Sequence, residues 1–250
     1  MEADYALVMG GLDVAKRSVD QIVALMRVMY DFVLTAKNER SVSPLMSFLY
    51  LNLSQTLERI GELNVACRKG CSHCCHNWVA ASAPEVIYAL KYAEAAGLPV
   101  QDNLSSTLML TGGRNSQTRI GMRAPCPLLD GDVCGVYENR PIVCRTLVSF
   151  DAGICERFYS QITKEPVPAS AAYNAIRNVY ALCLAGALKR AGLPPFFYEY
   201  NAALNNMAQV DDAEAAWLSG EDILEGVMLD DGGDMFCEAW NRDIYKKAFG

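Results

Sequence analysis

Apolar residues at steps of three and four recur along most of this chain, the spacing that lines one face of an α-helix. Val19, Ile22, Met26, Met29 and Val33 form one stripe, and Leu45, Leu49, Leu53, Leu57 and Ile60 form a second. The polar link Lys37–Ser43 lies between them, and Ser43-Pro44 reads as a helix cap followed by proline at the first helical position. The pattern predicts an antiparallel helical hairpin over about residues 12–66, its second helix running into Cys67. Further on, Ser82-x-x-Glu85 reads as a capping box, and Ala96-Gly97-Leu98-Pro99 ends that helix. A shorter helix is expected over 102–111, stopped by Gly112-Gly113. A long apolar one is expected from about 169 to 191, ended by Ala191-Gly192-Leu193-Pro194. Asp211 or Asp212, and then Ser219-x-x-Asp222, read as caps of two short helices, and a last helix is expected over 235–247.

Only one place reads as β. Cys126-Pro-Leu-Leu-Asp130-Gly131-Asp-Val-Cys134 carries an Asp-Gly turn between apolar residues, a hairpin signal that would bring Cys126 and Cys134 near each other across the ladder. Strands do not alternate with helices, which argues against a parallel sheet. The predicted class is mainly α: a helical hairpin over 1–66, a loop-rich cysteine region with a small β-hairpin over 67–160, and C-terminal helices over 161–250, in one compact domain.

The chemistry lies in the cysteines. Eight of ten fall within residues 67–155: Cys67, Cys71, Cys74, Cys75, Cys126, Cys134, Cys144 and Cys155. Thiolates spaced by two and three residues can converge on one metal. Hydrophobic residues make up 52% of the chain, enough for a core without crosslinks, so the cysteines are not needed as staples. The start MEADYALVMGGLDVAKRSVD lacks the basic run and apolar core of a signal peptide, and no apolar stretch is long enough for a membrane helix. A cytoplasmic, reducing location is expected, where clustered cysteines serve as ligands or redox thiols. The net charge is −7, yet residues 67–157 hold nine basic and eight acidic residues. An acidic body lacks the basic footprint of a nucleic-acid binder.

Cys67-x3-Cys71-x2-Cys74-Cys75, the helix with Pro84-Glu85, Cys126-Pro-Leu-Leu, and Cys134-x2-Tyr137-x2-Arg140-Pro141-x2-Cys144-Arg145, with Cys155, together resemble the cysteine-cluster family named for zinc or iron chelation. Flagellin lysine N-methylases share the signature. The resemblance implies the eight cysteines as metal ligands and does not carry over an activity. The spacing of Cys67, Cys71 and Cys74 is also similar to that of radical S-adenosylmethionine enzymes. Here, however, a helix rather than a strand precedes it, and His73 stands where an aromatic residue is usual.

Four thiolates suffice for one tetrahedral zinc or one [4Fe–4S] cluster, so eight could serve two centres, or one centre with a neighbouring thiol pair. The tight three-cysteine run favours iron–sulfur over zinc. Arg140 and Arg145 are candidate donors to cluster thiolates or sulfides, and hence cofactor-binding residues. His73 and His76 could ligate, with supporting donors or solvent-facing side chains as the leading reading, and Cys183 and Cys237 are read as core thiols. Arg114, Arg119 and Arg123 read as a solvated basic patch that could face an acidic partner. The expected function is a Cys-ligated, iron–sulfur protein serving redox chemistry or electron transfer for a protein partner, without nucleic acid or membrane. The alternatives are a zinc-stabilised interaction protein and an S-adenosylmethionine-dependent lysine methylase. The Asp230–Asp234 turn lacks calcium-loop spacing.

Overall fold

The computed structural model describes residues 2–14, 16, 18–61, 64–119, 122–227, 229 and 235–250. A short helix α1 (Glu2–Val8) precedes the hairpin of α2 (Val19–Glu39) and α3 (Ser43–Ile60). Ser18 caps α2 by accepting from the Gln21 amide. Ser43 does not cap α3: Val42 holds the cap position, and its amide donates instead to the distant Glu214 carboxylate at 2.7 Å. The chain then enters strand β1 (Ala80–Ser82), α4 (Ala83–Ala95), α5 (Val100–Thr111) and the single turn α6 (Ser116–Arg119). The ladder of β2 (Leu129–Asp130) and β3 (Val133–Cys134) follows, then the short α7 (Ile142–Thr146) and α8 (Ala152–Tyr159). The long α9 (Ala171–Arg190) leads to β4 (Phe197–Glu199), α10 (Tyr200–Met207), α11 (Ala213–Leu218) and α12 (Ala239–Phe249). The fold is mainly α, and every strand pairing among the described residues is antiparallel.

The core forms around α2. Val23 to Met26, Val28, Met29, Val33 and Ala36 are all buried, because α1, α3, α9 and α12 cover that helix on several sides. The facing run Leu182–Leu188 of α9 is buried without interruption. Gly186 allows a close approach of the two helices: a Cβ there would lie 2.5 Å from the Met26 sulfur. A buried polar network locks α1 onto α3 and α9. Asn52 donates to the Val8 carbonyl at 2.8 Å, the Tyr180 hydroxyl donates to Asn52, and Thr56 accepts from the Leu12 amide.

Gly11 makes that connection possible. Its φ of +89° is in glycine's range, and an added Cβ would lie 2.5 Å from the Thr56 amide nitrogen and 2.8 Å from the Gln55 carbonyl carbon. Both neighbours are helical backbone that cannot step aside. Gly11→Ala is therefore expected to cost roughly 2–4 kcal/mol, combining left-handed strain with overpacking. Urea denaturation would read this as a lower midpoint at unchanged slope. Gly186→Ala meets only a flexible methionine and should cost less.

Several expectations need correction. The Ser219-x-x-Asp222 segment forms no helix: Ser219 ends α11, and turns follow it. The hairpin turn is Gly131-Asp132, one residue later than expected, because Asp130 pairs with Val133. A second sheet, β1 with β4, was not anticipated; it joins Ala80 to Glu199 across the fold. The final helix starts at Ala239, after a 3₁₀ turn at Met235–Cys237. The Asp230–Asp234 turn and the side chain of Cys237 lie outside the described residues.

Candidate metal centre

The cysteine segment has little regular structure of its own and is held by the helices around it. From Asn64 the chain runs without regular structure through Cys67, turns at Lys69-Gly70, and reaches a 3₁₀ turn at His73–His76. A 3₁₀ helix has about three residues per turn, so side chains at i and i+3 eclipse. His73 and His76 therefore share one face, and the thiols of Cys74 and Cys75 lie close enough to each other for a hydrogen bond. Cys126 joins this turn through its amide, which donates to the Cys75 carbonyl at 2.8 Å. Cys134 sits opposite Leu129 in the hairpin rather than opposite Cys126, which lies one turn before the ladder. Pro141 starts α7, which carries Cys144 and Arg145. Asp151 caps α8 and so places Cys155 in its first turns.

Seven thiols, those of Cys67, Cys71, Cys74, Cys75, Cys126, Cys134 and Cys144, line one cavity of about 230 Å³. The eighth, Cys155, is buried beside the Ser149 hydroxyl, within electrostatic reach of Cys67, Cys71 and Cys74. All eight are free thiols. Among the described residues no three Cys, His, Asp or Glu side chains are drawn tightly enough to hold a metal ion as they stand. The thiols surround a space and do not pinch a point.

Burial favours the protonated form of Cys67, Cys74, Cys126, Cys134, Cys144 and Cys155 until something replaces the proton. Burial pushes Cys126 up to about 12 and raises Cys67, Cys134, Cys144 and Cys155. Cys74 is raised first by its hydrogen bond with Cys75 and then by burial. Only deprotonated thiols ligate, so a metal entering here must release protons. The donor set suits a thiophilic metal: soft sulfur donors in quantity, with cationic charge beside them.

Arg140 supplies that charge. It lies within electrostatic reach of Cys67, Cys74, Cys134 and Cys144. Its guanidinium stacks on Tyr137, 3.6 Å from the ring centroid, and its Nε donates to the Tyr137 carbonyl at 2.8 Å. Arg145 also lines the cavity; it stacks on Tyr50 at 4.1 Å and donates to the carbonyls of Arg140 and Glu138. Both cations are fixed by stacking and by backbone acceptors, so neither is free to move away.

The histidines do not face this cavity. His73 and His76 line a separate polar pocket of about 140 Å³ with Arg123, Asp132, Glu156 and Tyr159. Burial lowers the His76 pKa, and its Nδ1 is buried without a hydrogen-bond partner. The expected arginine patch is not formed either. Arg119 is buried, and its Nη1 lies 2.8 Å from Glu199 Oε1, while Arg123 lines the polar pocket. Cys183 is a buried core thiol on α9, as expected. Sequence reasoning missed Ser149, whose amide donates to the Cys67 sulfur at 3.3 Å, and Tyr159, which burial and then the charge of Cys74 push up to about 12. Neither residue belongs to a recognisable pattern.

Fold and site together define a helical domain with a cysteine-lined chelating region. Residues 66–165 match the family described as "CxxCxxCC: Putative zinc- or iron-chelating domain". The match, over less than half of the chain, bears out the cysteine-cluster resemblance and supports Cys-ligated metal binding. This chain has three residues between its first two cysteines where the family's name shows two. Comparison with curated proteins and with solved structures finds no match. No helix among the described residues is long and apolar enough to cross a membrane.

Proposed function

We propose that this protein is an iron–sulfur protein that exchanges electrons with a partner protein. The observation that carries this reading is the space between the cysteines: seven thiols around about 230 Å³. Zinc sits about 2.3 Å from each of four thiolates, so its ligands close directly on the ion. A cluster brings its own sulfides and irons, and its cysteines stand back around a volume. A bound cluster would supply one-electron redox chemistry. The cavity cysteines would hold it, with Leu128, Val136 and Val143 on the same wall keeping water away. Arg140 would offset the negative charge of the thiolates and raise the reduction potential.

Anaerobic purification followed by assay of iron, zinc and acid-labile sulfide tests the proposal. The expected result is iron and sulfide in equal amounts, with broad visible absorption that bleaches on reduction. Stoichiometric zinc without sulfide would replace this reading with a zinc-stabilised domain.

A further inference from the structure

We infer that Tyr200 belongs to the metal centre: its phenolic O–H donates a hydrogen bond to a sulfur of the bound group, a cysteine thiolate or a cluster sulfide. The inference rests on the thiolate-bound metal of the reading above. It adds a residue that lies outside the matched region 66–165 and that no sequence pattern links to the cysteines.

The fold carries Tyr200 to the cavity through the small sheet. The segment leaving the 3₁₀ turn passes through Val79, itself on the cavity wall, and enters β1. β1 pairs with β4, setting Ala80 opposite Glu199. Tyr200 follows as the first residue of α10, and its amide donates to the Val79 carbonyl at 2.9 Å. Glu199 caps the same helix by accepting from the Ala202 amide at 2.6 Å, so the backbone is fixed on both sides of Tyr200. Tyr200 therefore joins Cys126, Cys134 and Cys144 on one wall.

The hydroxyl then lacks a partner where a ligand could supply one. Tyr200 is 2% exposed, and its phenolic oxygen is buried without a hydrogen bond among the described residues. Buried hydroxyls are nearly always paired, because an unmade bond leaves their desolvation uncompensated. The thiols of Cys126, Cys144 and Cys134 lie within electrostatic reach of this one. A neutral thiol is a weak acceptor, whereas a metal-bound thiolate or a sulfide carries negative charge and accepts strongly. Metal loading thus creates the acceptor that the metal-free wall does not offer. The Tyr50 hydroxyl is also buried and unpaired, but Tyr50 is not on the cavity wall, and its ring is taken by Arg145.

Tyr200→Phe in the full chain removes the oxygen and keeps the ring. Its apparent metal affinity, read by competition with a chelator, should fall about 10–100-fold. The sulfur-to-metal absorption band should shift, read on iron as isolated or on cobalt(II) in place of zinc. Where iron and sulfide are present, the reduction potential should move negative, since hydrogen bonds to cluster sulfurs raise it. The metal-free variant should unfold at the same or a higher urea midpoint than wild type, because it loses an unpaired buried oxygen. Tyr198→Phe, at a buried tyrosine off the cavity wall, should change neither affinity nor band. Unchanged affinity and band in Tyr200→Phe would overturn the inference while metal binding stands. Lower affinity with an unmoved band and a lower metal-free midpoint would assign Tyr200 to packing. Zinc in place of iron would refute the iron–sulfur reading and leave this test in force. A wild-type chain that holds no metal overturns both.

Discussion

Glu199→Ala is expected to lower the unfolding free energy by about 3–5 kcal/mol, because it leaves a buried arginine without its counter-charge. Arg119 is 1% exposed, and Glu199 is its ion-pair partner. The Trp78 ring lies 6.0 Å away, and among the described residues the one other acceptor for Arg119 is the Asn77 carbonyl, at 3.5 Å from Nη2. Its Nε is already buried without a partner among the described residues. Glu199 also accepts from the amides of Asn201 and Ala202 at 3.2 and 2.6 Å, capping α10. Those two roles can be separated. Arg119→Met with Glu199 intact leaves the cap but strands the carboxylate. Arg119→Met with Glu199→Gln removes both charges and keeps one oxygen that can accept one of the two cap bonds. The double variant should be closer to wild type than either Glu199→Ala or Arg119→Met alone, since an ion pair taken out whole costs little. Urea denaturation of the variants measures this. Equal losses for the double and single variants would mean that packing, rather than charge, holds the site. The exposed pair Lys91–Glu214 offers a contrast: breaking its charge interaction should cost no more than about 1 kcal/mol.

The fate of Arg119 shows where reading the sequence stops. Three arginines spaced by five and four residues suggested a solvated patch, because the partner of the middle one lies 80 positions further on. What was legible was local. The stripes of α2 and α3, the Ser82-x-x-Glu85 box and the Gly-Leu-Pro endings each depend on neighbours within a few residues, and each corresponds to an observed helix. The β1–β4 sheet was not legible: its three-residue strands lie far apart in the chain and carry no alternation longer than three positions. Ser43 looked like a cap by composition, but Glu214, brought in by α11, takes that place. The cysteine site divides the same way. Local spacing identified Cys67 to Cys75 as a group, and the hairpin signal linked Cys126 to Cys134. The displacement of Cys155 behind the cavity wall, and of both histidines into another pocket, depends on α8 packing against the 3₁₀ turn.

Glu85→Ala should be comparably severe, and its effect should reach the cysteines. Glu85 is 1% exposed, and burial raises its pKa against the pull of its donors. One carboxylate oxygen accepts from the Ile142 amide at 2.6 Å; the other accepts from the Ser82 amide and hydroxyl at 2.8 and 2.7 Å. A single side chain therefore closes the N-termini of α4 and α7, where a negative charge is also favoured by the helix dipole. Alanine leaves two buried amides without partners, at about 1–3 kcal/mol each. The expected loss is roughly 3–5 kcal/mol once the helix-end charge is included. Glu85→Gln has one acceptor oxygen and can serve one helix or the other, so it should fall between alanine and wild type. Freed from Glu85, the first turn of α7 loses its anchor, and that turn carries Cys144 and Arg145. Metal retention against a chelator should therefore fall in the order wild type, Glu85→Gln, Glu85→Ala, even below the unfolding temperature of each variant. Lower stability with unchanged metal retention would show that Cys144 is positioned by the cysteine cavity itself and not by the anchored helix.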